Sequence, residues 1–429
     1  MRWLIIALLV SWLNAGAADE INRAVPVINR PVPVINRMVP NQEFAGEAVD
    51  EIPDWKNYQA QNATRNAFDS IIKNIKESVV IQNGKPPVGV GRPFSFKPKW
   101  KEDEFANIPN EAFVGAVAAP NGRVVFVPHS SPVALVIDTN NGKVTTLNLP
   151  RGGDRMFSGG VLAPNGRLYF VPCYADYIGF IDTNFPIGQW RVTAIPIGLK
   201  DKWKWRGGVV ARNEKIYFVP ERADFIGVVN SVNNRFTGIS HDFKDNDYMN
   251  GCLTPDGDVI FIPHHARQVA KLTVANVKVT KFGIAPGGAA YVGGVLGQDG
   301  MIYTVPNKQH HVLVIDPVKL QTRVLPLPFK INKDKWFGGA LGPDGKIYCA
   351  PNELDTILVI EPDKAYEWAD ANGKPYRMRF PVRHAYMGVV LASDGRLYFS
   401  PYNAKHLLSI GIKQPLSENW VLSPLFNNF

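Results

Sequence analysis

One phrase recurs seven times between Phe113 and Pro401. It runs as an aromatic residue, a glycine step, an apolar run, a tight turn, and a second apolar run that stops at proline. The terminal prolines are Pro128, Pro172, Pro220, Pro263, Pro306, Pro351 and Pro401, so the spacing is 44, 48, 43, 43, 45 and 50 residues. Periods of this size belong to propeller blades and array repeats. Asn-Gly or Asp-Gly between two apolar runs is the strongest short-range hairpin signal, and in the tightest form both central residues take positive φ. It appears at Asn121-Gly122, Asn165-Gly166, Asp256-Gly257, Asp299-Gly300, Asp344-Gly345 and Asp394-Gly395. The third repeat has Asn213-Glu214 instead, which predicts a looser turn there.

Each repeat divides into four short strands, as residues 160–196 illustrate. The proline closing the second strand has no amide donor and ends the ladder where the chain leaves the sheet. A lone four-stranded sheet buries little, whereas radial repetition packs each sheet on its neighbours. Nearly continuous apolar runs such as Ile216 to Val219 suit strands covered on both faces. The expected fold is all-β, a seven-bladed β-propeller of four-stranded blades, preceded by an extended tail and one short helix.

The copies Pro164-Asn165-Gly166-Arg167-Leu168-Tyr169 with Ile181-Asp182-Thr183, and Pro343-Asp344-Gly345-Lys346-Ile347-Tyr348 with Val359-Ile360-Glu361, carry a family resemblance. Over residues 106–412 the chain resembles the YVTN-type, lactonase-like and lyase-like seven-bladed propellers. It departs where that family ends its strand in Thr-Asn, since here the strand runs into proline. The resemblance implies the architecture, and one propeller fold hosts many functions. WD40 is excluded by the absence of its Gly-His and Trp-Asp dipeptides, and kelch is disfavoured by the placement of Gly-Gly and Trp.

The rest of the chain reads as separate segments. Residues 1–17 combine Arg2, an apolar run from Leu4 to Leu13 and Ala15-Gly16-Ala17, the pattern of a cleavable signal peptide with export to the periplasm or the exterior. Residues 18–53 hold three copies of a period-seven repeat. These are Ile21-Asn-Arg-Ala-Val-Pro-Val, Ile28-Asn-Arg-Pro-Val-Pro-Val and Ile35-Asn-Arg-Met-Val-Pro. Proline in every copy favours extended or polyproline II backbone. The segment is either a passive spacer or a docking tether. Residues 54–82 place Ala63, Ala67, Phe68, Ile71, Ile72, Ile75 and Val79 at helical spacing, residues 83–105 form a Gly/Pro-rich linker, and residues 106–429 hold the propeller. Oligomerisation through residues 21–80 is one reading of the tail and helix.

Loops entering the first strand and leaving the second share one rim, and functional residues are expected there. The entering loops supply Phe113, Phe157, Trp205, Tyr248, Tyr291, Trp336 and Tyr386, with Arg155, Lys202, Lys204, Arg206, Lys335 and Arg383 beside them. The leaving loops supply His129, Tyr174, Glu221, Arg222, His264, His265, Lys308, Glu353 and Tyr402. An aromatic demanded by every blade reads first as a wedge, whereas residues that differ between blades are better ligand candidates. The sharpest cluster is Asp201-Lys202-Trp203-Lys204-Trp205-Arg206, where aromatic faces and cations suit sugars, carboxylates, sulfates or phosphates.

Catalytic signals are weaker. His129 and His264 share the post-proline position, and with Glu221 they form an alternative acid–base set. His264-His265 and His310-His311 lack zinc-site spacing, and no nucleophile elbow or phosphate loop appears, so neither metal nor cofactor is expected. Lys and Arg number 47 against 38 Asp and Glu, a net charge of +9. That balance points to an acidic glycan or protein partner of the envelope or exterior, not to nucleic acid. The first reading is therefore a binding or assembly module, with a propeller enzyme and a structural subunit as alternatives. Of the three cysteines, Cys252 and Cys349 read as small buried residues and Cys173 as the one candidate for a reactive thiol or an intermolecular bridge.

Overall fold

The computed structural model describes residues 109–244, 247–369, 373–377, 382–405 and 407–412. The signal peptide, repeat tail, helix and linker expected from the sequence lie outside these residues.

Seven antiparallel sheets follow one another along the chain, each a simple meander. Blade one comprises β1 (Phe113–Ala119), β2 (Arg123–Pro128), β3 (Val133–Asp138) and β4 (Val144–Asn148). Blades two to six repeat the pattern over residues 157–196, 205–240, 248–282, 291–326 and 336–367, and blade seven has three described strands over residues 386–411. The first strands neighbour one another around a ring, and the first strand of blade seven, Tyr386–Leu391, packs against β1 to close it. Burial follows this geometry: β1 is buried throughout, while β4 has one buried residue.

The turns differ from the tight form in an instructive way. In blade two, Gly166 N–H donates to Ala163 O at 3.0 Å, Ala163 N–H donates to Arg167 O at 2.9 Å, and Gly166 alone of the turn has positive φ. This is a type I turn followed by a left-handed residue, which Pro164 at the first central position fits because its ring holds φ negative; blade one differs, with Asn121 and Gly122 both at positive φ. Blades four to seven repeat the bonding. Blade three does too, so its turn is not looser: Glu214 takes φ 61° and donates to Ala211 O at 3.0 Å. The turn residue is also tied to the tyrosine four positions on, as in Tyr303 to Asp299 at 2.6 Å, Tyr348 to Asp344 at 2.8 Å and Tyr398 to Asp394 at 2.8 Å.

Every blade's first strand except that of blade three breaks register against its second strand two residues or so past the aromatic, and blade three shifts at the facing position. The break turns the third residue left-handed: Gly115, Gly159, Gly207, Gly293, Gly338 and Gly388, with Asn250 in blade four. Crowding at the axis explains the glycines. A Cβ on Gly388 would lie 2.8 Å from the Gly115 Cα. Asparagine is the residue that most readily substitutes for glycine in this conformation.

Candidate functional site

A repeated set of backbone hydrogen bonds builds the rim. The residue after each closing proline donates its N–H to the residue just before the blade's first aromatic. His129 bonds Ala112 O at 2.8 Å, Glu221 bonds Lys204 O at 2.9 Å, and Tyr402 bonds Ala385 O at 2.9 Å. Its own carbonyl then accepts from the next blade, as Met156 N–H to His129 O at 2.7 Å and Ala385 N–H to Asn352 O at 3.0 Å. Ala112 N–H to Tyr402 O at 2.9 Å completes the circuit from blade seven to blade one.

Two positions outward, the entering loops adopt a left-handed residue that is not glycine. Glu111, Arg155, Trp203, Ala289 and His384 have φ of 57°, 51°, 59°, 56° and 52°. Side chains held on such backbone cost about 1 to 3 kcal/mol and concentrate where a function needs them. Three of these five positions carry the polar structure of the rim. Arg155 grips Glu111 with Nε to Oε2 at 2.9 Å and Nη2 to Oε1 at 3.2 Å, and that contact holds the Glu111 carboxyl below its usual range. His384 Nδ1 lies 2.7 Å from Asn352 Oδ1.

Around Trp203 the expected residues do come together. The Arg155 and Arg206 guanidiniums lie 5.0 and 4.7 Å from its ring, and Tyr174 meets it edge-on at 5.0 Å. Lys202 Nζ sits 5.4 Å over Tyr174. Arg206 Nε donates to Glu221 Oε2 at 2.7 Å; burial pushes the Glu221 carboxyl upward, and Arg206 opposes the shift. Arg222, His265, Lys308 and Arg383 stand exposed on other loops of the same rim, Arg383 beside Glu353 at 3.4 Å and Lys308 beside Asp334 at 3.9 Å.

Five expected ligand residues are instead interior, Tyr402 among them. Lys204 is 1 % exposed, and its Nζ donates to Cys173 O at 3.0 Å and Asp201 O at 2.6 Å, while burial lowers its pKa to about 8. Lys335 is fully buried, donates to Ile331 O at 3.2 Å and is likewise lowered to about 8 by burial. Trp205 and Trp336 are fully buried, donating to Phe225 O at 3.0 Å and Thr356 O at 2.8 Å. They are wedges, the first reading of an aromatic that every blade repeats, and with Lys204, Lys335 and Tyr402 the ligand face loses five.

The histidines have a packing task as well. His129 Nδ1 bonds Phe157 O at 2.6 Å and His264 Nδ1 bonds Tyr291 O at 2.9 Å, each reaching the first aromatic of the next blade. Asn352 Nδ2 makes the same bond to Tyr386 O at 3.1 Å. Burial lowers both histidines to about 4, so both are neutral at pH 7 with the proton on Nδ1. Cys173, taken from the sequence as the reactive thiol, is fully buried with its pKa pushed up to about 12 by burial, the reverse of an activated cysteine. All three cysteines are free.

Sequence reasoning missed the floor of this mouth. The second residues of the first strands, Val114, Met249, Val292 and Phe337, join one apolar cluster with Tyr402, and Met387 packs on it. Buried together from blades one, four, five and six, they form one apolar floor that reaches Arg206, whose Nη1 lies 3.9 Å from Met249 Sδ. The signal was present as a run of unlike residues after each repeated aromatic. Among the described residues no three His, Cys, Asp or Glu side chains assemble as metal ligands, and no helix is long and apolar enough to cross a membrane.

No protein-family profile matches the chain, and no curated protein matches it. Solved structures do. A streptogramin B lyase aligns over 71% of this chain and 94% of its own, with TM-score 0.59 and 18% identity. A catalytically inactive virginiamycin B lyase from Staphylococcus aureus, solved with quinupristin, aligns over 75% and 99%, with TM-score 0.61 and 15% identity. This chain is a seven-bladed β-propeller. The extracellular domain of a putative one component system from B. thetaiotaomicron shares the architecture over 72% of this propeller chain and 40% of its own, with TM-score 0.54 and 9% identity. Identities this low establish the fold and leave the activity to the site.

Proposed function

We propose that the chain is an exported binding module whose propeller captures an acidic glycan on the rim of blades one to three, with the N-terminal repeats as its tether. The observation that carries this reading is the cluster at Trp203. A partly exposed indole and phenol lie among Arg155, Arg206 and Lys202, on loops in which Arg155 and Trp203 take left-handed backbone. Planar guanidiniums match carboxylates and sulfates, and aromatic faces match sugar rings. Arg155 and Arg206 are already paired with glutamates, so the freely exposed cations Lys202 and Arg222 supply the long-range attraction.

The test is capture of the mature chain on immobilised acidic polysaccharides, polygalacturonate and heparin, against neutral dextran. Retention on the acidic supports that falls with salt is expected, and Trp203→Gly, which suits the left-handed backbone at that position, should weaken it about tenfold or more. Equal retention on dextran, or a Trp203→Gly variant that binds like the parent, overturns the reading. Retention by an acidic protein alone would move the ligand class to protein.

A second reading, a lyase-like enzyme, draws on the fold neighbours and on the two neutral imidazoles. Their Nδ1 protons are committed to carbonyls, which leaves Nε2 of each as the lone-pair site, with Glu221 near Arg206. A pKa near 4 makes each a poor base at neutral pH, which favours binding over turnover. Loss of intact quinupristin on incubation, followed by mass spectrometry and abolished by His264→Asn, would reverse that preference.

A further inference from the structure

The face opposite the rim displays side chains that packing does not require. Each blade is a meander, so the turn between its first two strands and the connection between its last two lie at the end away from the rim. Hydrogen bonds tie these together within a blade, Thr139 N–H to Gly122 O at 2.7 Å and Thr183 N–H to Gly166 O at 3.0 Å. Others pass from blade to blade, Asn165 Nδ2 to Ser231 O at 2.7 Å, Lys271 Nζ to Pro317 O at 3.2 Å and Arg323 Nη2 to Pro362 O at 2.9 Å. The connections therefore stand side by side on one face. Seven large apolar side chains are exposed among the described residues, and four of them sit on these connections, one each in blades two to five. They are Phe185 at 54 %, Val232 at 69 %, Val277 at 37 % and Val318 at 70 % exposure. Local hydrogen bonds fix the tips: Val232 N–H donates to Asn230 Oδ1 at 2.9 Å and Val318 N–H to Asp316 Oδ1 at 3.0 Å. Val277 is the telling case. It takes φ 56° where blade one has Gly142 and blade three Asn234, and a β-branched residue on left-handed backbone is rare and strained. The core does not demand it, since the side chain is exposed.

A cation accompanies each of these connections. Lys143, Arg191, Arg235, Lys278, Lys319 and Lys364, one in each of blades one to six, are exposed within the connection or at the first residue of the strand that follows. The six connections hold a single acid, Asp363. Lys319 and Lys364 lie 3.9 and 3.2 Å from Asp316 and Glu361 of their own blades, which offsets part of their charge. We propose that this face docks on an anionic phospholipid bilayer, with Phe185, Val232, Val277 and Val318 entering the boundary of headgroups and acyl chains and the cations standing at the level of the phosphates. Charge complementarity selects an anionic surface. The spacing of the apolar side chains selects lipid over protein. The core of a protein interface gathers its apolar area into one closely packed patch, whereas these four stand singly on separate tips among exposed Asn184, Asn233 and Asn276. A fluid bilayer admits each tip by itself, and basic residues beside apolar ones are the pattern of an interfacial anchor. Docking by this face turns the rim outward, so lipid and a rim ligand are held at opposite ends of the blades.

The experiment is co-sedimentation of the mature chain with vesicles of phosphatidylglycerol and phosphatidylcholine in equal parts, against vesicles of phosphatidylcholine alone. Binding to the anionic vesicles that weakens with salt is expected, with little binding to the neutral ones. Phe185→Ser/Val232→Ser/Val318→Ser, and separately Lys143→Gln/Arg191→Gln/Lys278→Gln, should each weaken it about tenfold or more. All six positions are exposed, so both variants should melt like the parent, and Arg23, Arg30 and Arg37 of the tail remain in each. A second readout reports depth: Val232→Cys carrying an environment-sensitive fluorophore should shift to the blue on the anionic vesicles, the three native thiols being buried and out of reach of the label. Trp203→Gly should bind these vesicles like the parent, which separates this face from the rim. Absence of binding to anionic vesicles, binding that both tip variants leave unchanged, or a label at position 232 that stays in water overturns the proposal. Vesicle binding lost in Trp203→Gly would assign the lipid to the rim, and capture of an acidic protein through the tips with vesicles ignored would make the partner a protein; either result overturns it as well.

Discussion

Acid should loosen this propeller at two identifiable points. His129 is 3 % and His264 9 % exposed, each with Nδ1 on a carbonyl of the next blade, and burial lowers both from 6.5 to about 4. A base whose folded pKa is depressed contributes its stability in full above the unfolded value, and that stability is lost as pH falls from about 6.5 toward 4, because the unfolded chain takes up a proton the folded one refuses. At about 1.36 kcal/mol per pH unit, descent to pH 4.5 costs about 2.5 kcal/mol for each histidine and about 5 for the pair. That is a large share of the roughly 5 to 15 kcal/mol that stabilises a typical domain. The structure supplies its own control, since Asn352 makes the same bond without a titrating ring. The assay is thermal unfolding of the parent and of His129→Asn/His264→Asn between pH 7 and 4.5. The parent Tm should fall by about 10 °C more than that of the variant over this range. Parallel Tm profiles would refute the reasoning, because they would mean that the imidazoles protonate inside the fold without penalty.

Three further outcomes follow from local geometry. Glu214→Gly should raise stability by up to about 1 kcal/mol in denaturant titration, since a Cβ at φ 61° is strained and the turn bonds stay intact; an unchanged midpoint would leave no strain at Glu214. The buried thiols of Cys173, Cys252 and Cys349 should resist Ellman's reagent in the native protein and all react after unfolding, and rapid native labelling of Cys173 would contradict its placement. The segment after Ser417 lies outside the described residues, and from its sequence alone we propose Asn419 to Leu425 as a further strand of blade seven; removing the chain after Ser417 should then lower Tm by several degrees, and a truncated protein melting like the parent would exclude that closure.

The architecture was legible because its signals are local and repeated. Closing prolines, Asp-Gly or Asn-Gly turns and apolar runs give blade number and strand order without any long-range information. The turn type was misread because Asn-Gly and Asp-Gly also close a type I turn in which only the last residue is left-handed, and blade one alone, with Asn121 and Gly122 both at positive φ, takes the form the dipeptide announces. What the sequence conceals is depth. Lys204 and Lys335 resemble rim cations, yet each reaches backbone carbonyls inside the rim, and nothing in a charged letter announces an internal acceptor. His129 and His264 resemble a catalytic pair for the same reason, because the carbonyls they satisfy are brought to them by the next blade. The left-handed ring of Glu111, Arg155, Trp203 and His384 was readable in principle as the residue two before each aromatic, but only when the seven repeats are superposed on that position.

The central claim is that ligand is held on the rim of blades one to three, and hydrogen exchange of the mature chain with and without a size-defined oligogalacturonate tests it most directly. The account predicts slowed exchange in residues 151–156, 198–206 and 220–224, the loops that carry Arg155, Trp203, Arg206 and Arg222, with the outer strands unchanged. Protection confined to the outer strands, or no protection at ligand concentrations that saturate binding, would contradict it.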